Sequence, residues 1–329
     1  MSDPTPLTPA DQNTATQSIM LSAADLQSFR AHLKSSTRIF ALLGAGLSAS
    51  SGLPTFRGAG GLWRSHDATS LATPHAFQAD PGLVWQFYSY RRNMAKHANP
   101  NAAHFALAEL AKKLNHGCPP GQEKFLCLSQ NVDGLSQRAG HTEETGLRLL
   151  HGSLWDVKCF DRRCDFVRKN DFEDPICPSL AMPATNNGLN PGTPSDISNP
   201  LIDLPPVPYS SLPHCPKCHH SLLRPGVVWF TESLPTQTLG SISSWLDTTL
   251  PDEYSPHVDL MLVIGTSSVV YPAAGYTDMA RDLGARIAVV NLDAGSEELV
   301  GLRKGVDWMF RGDAAMVVPE LVKEVIGDM

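Results

Sequence analysis

The chain has 329 residues, 42% hydrophobic and 18% charged, which is enough apolar material for an interior larger than one small domain and too little charge for a disordered chain. A formal net charge of -7 argues against a nucleic-acid ligand, since binding a phosphate backbone takes clustered Lys and Arg. No apolar run reaches the roughly 20 residues that cross a bilayer, so no membrane partner is expected.

The stretch Met1 to Met20 holds Asp3 and Asp11 but neither Lys nor Arg, unlike an Arg-rich mitochondrial presequence, and reads as a flexible tail. That favours the cytoplasm or nucleus and leaves the mitochondrion open. Ser22 is placed to cap a short entry helix in which Leu26, Phe29 and Leu33 recur at helical spacing. Arg38 to Leu43 is a compact apolar run that meets glycines at once, as a buried parallel strand does before a helix. Asp80 and Pro81 suit the N-cap and first position of an inserted helix. The strand pattern returns at Lys124 to Ser129, which runs into Gln130 and Asn131. It returns again at Leu260 to Ile264, before Gly265, Thr266 and Ser267, and at Ala285 to Val290, before Asn291. Small and polar residues thus gather at strand carboxyl ends, where open α/β sheets bind ligands.

From Asp174 to Pro213 the chain is dense in Pro, Asn, Ser and Gly without periodicity, which predicts a long loop. Cys159 and Cys164 precede that loop, and Cys215 and Cys218 follow it. Without a secretory signal, paired cysteines point to metal rather than disulfides, and four thiolates complete a tetrahedral, structural zinc site. The four residues between Cys159 and Cys164 keep Cys177 and His219 open as alternative second ligands. Cys118 and Cys127 read as ordinary thiols. The fold class expected is therefore α/β: a Rossmann-type doubly wound parallel sheet with a smaller zinc-binding module and a helical insertion. The expected divisions are a tail and entry helix over 1–36, the Rossmann-type domain over 37–58, 101–155 and 225–329, the insertion over 59–100, and the zinc module with its Pro-rich loop over 156–224.

Gly44-Ala45-Gly46, with Ser48, follows a strand and is expected to open a helix, so that bare backbone approaches a diphosphate at a helix N-terminus. A tight strand-to-helix turn would use the same glycines. Phe56 and Arg57 then add an aromatic and a cation that ordinary turns do not need. The stretch from Gly44 to Gly58 resembles the signature of the sirtuins. Gln130-Asn131-Val132-Asp133, His151-Gly152, Val228 to Glu232, Gly265-Thr266-Ser267 and Val290-Asn291-Leu292 follow in sirtuin order, so the resemblance runs from about Arg38 onward.

The resemblance implies an NAD-consuming protein-lysine deacylase, in which a substrate acyl oxygen displaces nicotinamide and the acyl group passes to ADP-ribose. It implies NAD contacts from Gly44, Ala45, Gly46, Ser48, Phe56, Arg57, Gln130, Asn131, Asp133, Gly265, Thr266, Ser267, Asn291 and Leu292. Asn131 and Asp133 would hold the nicotinamide carboxamide, and His151 would be the general base, since imidazole titrates near operating pH. Tyr88 and Arg91 stand three apart on a predicted helix and share a face able to grip a carboxylate. They resemble the Tyr-x-x-Arg motif of the class III sirtuins, which remove succinyl, malonyl and glutaryl groups, and Ala72 matches that branch's small pocket residue. Val228, Phe230, Glu232 and Tyr271 would line the substrate-peptide channel, with Thr231 where the family usually has glycine. The expected partner is an acylated lysine on protein or peptide, and the expected state a monomer. A general deacetylase or a protein mono-ADP-ribosyltransferase using the same NAD site is the alternative.

Overall fold

The apolar runs form the middle of one parallel sheet in the computed structural model, which describes residues 21–55, 62–119, 121–183, 196–249, 255–267, 270–293, 295 and 300–327. Helix α1 (Ala23–Ser35) is capped by Ser22, whose hydroxyl accepts from the Asp25 amide at 3.3 Å. Strand β1 (Ile39–Leu43) leads into a 3-10 turn over Ala45–Ser51. β2 (Leu62–Trp63) and β3 (His66–Asp67) form a small hairpin, followed by α2 (Ala68–Leu71), α3 (Pro74–Ala79) and α4 (Pro81–His97). Asp80 caps α4 through the Leu83 amide at 2.9 Å. α5 (Ala102–Leu114) returns the chain to the sheet at β4 (Phe125–Ser129), and α6 (Leu135–Arg138) and β5 (Leu147–Leu149) lead to β6 (Gly152–Cys159), β7 (Val167–Arg168) and β8 (Leu223–Val227). The described chain closes with α7 (Thr236–Asp247), β9 (Leu260–Ile264), α8 (Gly275–Asp282), β10 (Arg286–Asn291), β11 (Trp308–Arg311) and α9 (Ala314–Ile326).

Six strands lie in the order β11-β10-β9-β1-β4-β5, every neighbouring pair parallel. The chain winds outward from β1 first to β4 and β5, then restarts at β9 on the other side, so strand order reverses between β1 and β9. Side-chain alternation serves both faces. Ile39, Ala41 and Leu43 pack with α1, α5 and α9, whereas Phe40 and Leu42 pack with α7 and α8. β5 and β11 were not anticipated: β5 is three residues long and carries Arg148, which pairs with Glu123 at 3.1 Å.

A separate antiparallel sheet, β7-β6-β8, shares a second apolar cluster with α4. Buried Arg92 of α4 donates to the carbonyls of Leu154, Asp171 and Glu173, which ties the insertion to that module. The expected divisions at 155/156 and 224/225 fall inside β6 and β8, so both run through strands of this sheet. Among the described residues, no helix is long and apolar enough to cross a membrane.

Candidate active site

Where strand order reverses, the loops after β1 and β9 meet backbone to backbone. A Cβ on Gly44 would lie 2.5 Å from the Thr266 Cβ, and one on Gly46 2.8 Å from the Gly265 Cα. Gly265 has φ +61°, and the Gly46 amide donates to its carbonyl at 2.8 Å. Close approach of two loops is therefore one reason for these glycines, and the turn that follows them is 3-10 rather than α-helical. Gln130 Nε2 donates to Thr266 Oγ1 at 3.1 Å, and Asn291 Nδ2 donates to the Thr266 carbonyl at 2.9 Å. Ala45 is half-buried at this end of the sheet, while Ser267 and Leu292 are exposed there. Phe56 and Arg57 lie outside the described residues.

Asn131 and Asp133 face the same loop. Asn131 Nδ2 donates to the Gly44 carbonyl at 3.0 Å and lies 3.4 Å from the Ser48 hydroxyl. Asp133 accepts from Ser48 Oγ at 2.7 Å and from the Leu135 amide at 2.8 Å, and its carbonyl accepts from Trp155 Nε1 at 2.9 Å. Behind Ser48 stands His104, which the sequence reading passed over. Its Nδ1 accepts from the Asn101 amide at 3.2 Å, so the ring proton sits on Nε2, 3.4 Å from Ser48 Oγ. Burial pushes the His104 pKa down to about 4, partly countered by Asp133, so the ring is neutral at pH 7. The available signal was the capping pair Asn101 and His104 at the start of α5.

His151 sits between β5 and β6, with Nδ1 3.0 Å from the Gln130 carbonyl. A carbonyl only accepts, so Nδ1 carries the proton and Nε2 keeps a lone pair. Burial lowers the His151 pKa, and the Gln130 bond only partly opposes it. The Val228 amide donates to the His151 carbonyl at 2.8 Å. Gly152 has φ +73°, and a side chain there would strike the Gly226 carbonyl. Segment 130–133 thus holds Asn131 and Asp133 and orients His151.

Tyr88 on α4 is fully buried, and its hydroxyl accepts from Trp229 Nε1 at 2.9 Å. Burial raises its pKa to about 12, which keeps the phenol protonated. Arg91 is half-buried on the same face; desolvation lowers its pKa, while Tyr88 and Asp133 favour its charge. Buried Ala72 accepts the Phe230 amide at 2.9 Å through its carbonyl. Val228 is half-buried, whereas Phe230 and Tyr271 are exposed. Glu232, half-buried beside Phe230, is bonded within the protein. Its carboxylate accepts from Arg224 at 2.6 and 2.9 Å and from the Trp229 amide at 2.9 Å, so it is engaged within the protein.

The Sγ atoms of Cys159, Cys164, Cys215 and Cys218 all lie within 4.8 Å of one another. Cys159 and Cys218 are 3.7 Å apart, and Cys164 and Cys215 3.8 Å. A tetrahedron with Zn–S bonds of about 2.3 Å has edges of about 3.8 Å, so the donor set fits zinc. Cys177 is elsewhere, beside Ser179 Oγ at 3.2 Å and the Ser211 carbonyl at 3.5 Å, and His219 is not in the cluster. Of the three candidates, Cys164 is the one placed with the other thiols.

The Sir2 family model matches residues 44–272. An NAD-dependent protein deacylase of Candida albicans is 42% identical over 317 residues, covering 92% of this chain and 99% of its own. The mitochondrial NAD-dependent protein deacylase sirtuin-5 of Danio rerio is 39% identical and covers 82% of this chain and 79% of its own. The crystal structure of a Sir2 homologue in complex with NAD superposes with a TM-score of 0.67 at 33% identity, over 91% of this chain and 93% of that one. This chain belongs to the Sir2 family.

As a sirtuin it keeps four clustered thiols despite the longer gap between Cys159 and Cys164, because the knuckle over 161–164 turns tightly enough for the Cys164 amide to donate to the Asp161 carbonyl at 3.0 Å. Its second departure is Thr231. This β-branched residue has φ +72°, a left-handed conformation in which glycine carries no penalty.

Proposed function

We propose that this sirtuin is an NAD-dependent protein-lysine deacylase that prefers acidic acyl groups, releasing nicotinamide and O-acyl-ADP-ribose. The observation that carries the reading is the grouping of Asn131, Asp133 and a neutral, oriented His151 at the topological switch point of the sheet. NAD lies across the ends of β1, β9 and β10, against Gly44, Ala45, Gly46, Ser48, Gln130, Gly265, Thr266, Ser267, Asn291 and Leu292. Asn131 and Asp133 hold the carboxamide, directing binding energy to departure of neutral nicotinamide as the acyl oxygen attacks. His151 Nε2 takes a proton from a ribose hydroxyl, relayed between the 2' and 3' oxygens, and the acyl group then passes to the ribose. The four cysteines hold zinc as a structural ion, with no coordination position left for water.

Preference for succinyl, malonyl or glutaryl groups rests on Tyr88 and Arg91, a protonated phenol and a desolvated guanidinium on one helix face, with the small, buried Ala72. It accords with the sirtuin-5 name of the Danio rerio relative. The substrate peptide lies along Val228, Phe230, Glu232 and Tyr271. The site of action is intracellular, and the same relative's name adds the mitochondrion to the cytoplasm and nucleus. Mass spectrometry after incubation with NAD and a succinyl-lysine peptide tests the reaction: O-succinyl-ADP-ribose supports it, and ADP-ribosylated protein in its place overturns it. Arg91→Met tests the acyl class and should depress desuccinylation far more than deacetylation; equal losses would defeat the carboxylate clamp.

A further inference from the structure

The acyl clamp is held from behind by a residue to which no role has been given. Trp229 is 1% exposed and donates its indole N–H to the Tyr88 hydroxyl at 2.9 Å. Indole nitrogen donates and does not accept, so the Tyr88 proton cannot return along that bond. The Tyr88 hydroxyl has no second hydrogen-bond partner among the described residues, which leaves its proton for the face shared with Arg91.

Trp229 is itself fixed on three sides. The Arg224 guanidinium lies 3.3 Å over its ring centroid, and both Arg224 amino groups bond Glu232. Glu232 also accepts the Trp229 amide. One residue along, the Phe230 amide donates to the Ala72 carbonyl. The segment beyond β8 and the walls of the acyl pocket are thus joined at two points, one through Tyr88 and one through Ala72.

We propose that Trp229 is a specificity-determining positioning residue: its N–H turns the Tyr88 hydroxyl proton toward the distal carboxylate of an acidic acyl group, an interaction a neutral acetyl group cannot use. The inference rests on the acidic-acyl reading above. Trp229→Phe keeps an aromatic ring beneath Arg224 and removes the donor. Steady-state kinetics of the full chain with saturating NAD should show KM for a succinyl-lysine peptide rising about 5–10-fold relative to an acetyl-lysine peptide, the size of one misdirected hydrogen bond to an anion. In a Tyr88→Phe background the same substitution should leave the succinyl-to-acetyl ratio where Tyr88→Phe alone puts it. Equal losses on both peptides, or a further fall of the ratio in the double variant, would overturn the proposal. A wild-type enzyme without succinyl preference overturns the acyl reading and this proposal together. A preference abolished by Arg91→Met but untouched by Trp229→Phe overturns this proposal alone. Should Trp229→Phe fail to fold in a thermal melt, Glu232→Gln carries the test. It keeps the indole but loosens Arg224, and should lower the ratio about 2–3-fold; an unchanged ratio counts against the proposal.

Discussion

Gly44→Ala isolates the contact on which the site is built. A methyl group there would lie 2.5 Å from the Thr266 Cβ and 2.6 Å from the Gly265 carbonyl oxygen, about 1 Å short of ordinary contact, and backbone on both sides leaves little room to yield. Overpacking of this kind costs about 1–3 kcal/mol, and the lost freedom of the unfolded chain returns roughly 0.4–1. The net cost of about 1–2 kcal/mol corresponds to a Tm lowered by roughly 2–6 °C. The functional cost should exceed that. Parting the loops moves the Gly44 carbonyl that holds Asn131 and the Thr266 atoms that hold Gln130 and Asn291. Misplacement near 1 Å can cost on the order of 100-fold in rate, so the KM for NAD should rise by on the order of 10-fold or more. Gly52→Ala is the matched control. Gly52 has φ +84° but nothing within 4 Å of an added Cβ, so it should lower Tm through backbone strain of about 1 kcal/mol and leave the KM for NAD alone. Calorimetry and NAD titrations on both variants decide the matter. If Gly44→Ala raises the KM for NAD no more than Gly52→Ala does, the loop contact does not support the dinucleotide site.

Because burial lowers the His151 pKa, the acid limb of kcat/KM should fall below the ordinary imidazole value of about 6.5 in a pH-rate profile, and an acid limb above that value would contradict a desolvated base. Cys164→Ser should strip zinc, read by atomic absorption, and lower Tm by on the order of 5 °C or more, whereas Cys177→Ser should keep both. His141 is buried, neither ring nitrogen has a hydrogen-bond partner among the described residues, and burial holds its pKa at about 4. The unfolded chain therefore takes up the proton first. The penalty is absent above about pH 6.5, grows as pH falls toward 4, and reaches at most about 3 kcal/mol. His141→Leu should flatten the acid side of a Tm-against-pH curve; an unchanged slope would remove His141 as its cause.

Strand cores were legible because an interior parallel strand must be apolar on both faces. Ile39–Leu43 and Leu260–Ile264 are buried along their whole length and read as unbroken runs. The sheet's outermost strands gave no such run. β5 is three residues with an arginine at its centre, and β11 ends on exposed Arg311, so each is recognised only by the neighbour it pairs with. The module boundary was blurred for a related reason. β6 carries both His151's neighbour Gly152 and the clustered thiol Cys159, so no change of composition marks where one unit ends.

Within the candidate site, residues in short motifs were readable and their distant hydrogen-bond partners were not. Asn131, Asp133 and His151 stand in short local patterns, whereas other contacts around the candidate site join segments far apart along the chain. His104 meets Ser48 across 56 positions, and Trp229 meets Tyr88 across 141. A hydrogen bond of that span leaves no periodicity in either segment. Glu232 makes the complementary point, since its pairing with Arg224, eight residues earlier, has no signal in the sequence. The glycines at 44, 46 and 265 fall between these cases: their pattern is conspicuous, yet room for a diphosphate and room for a neighbouring loop demand the same missing side chain.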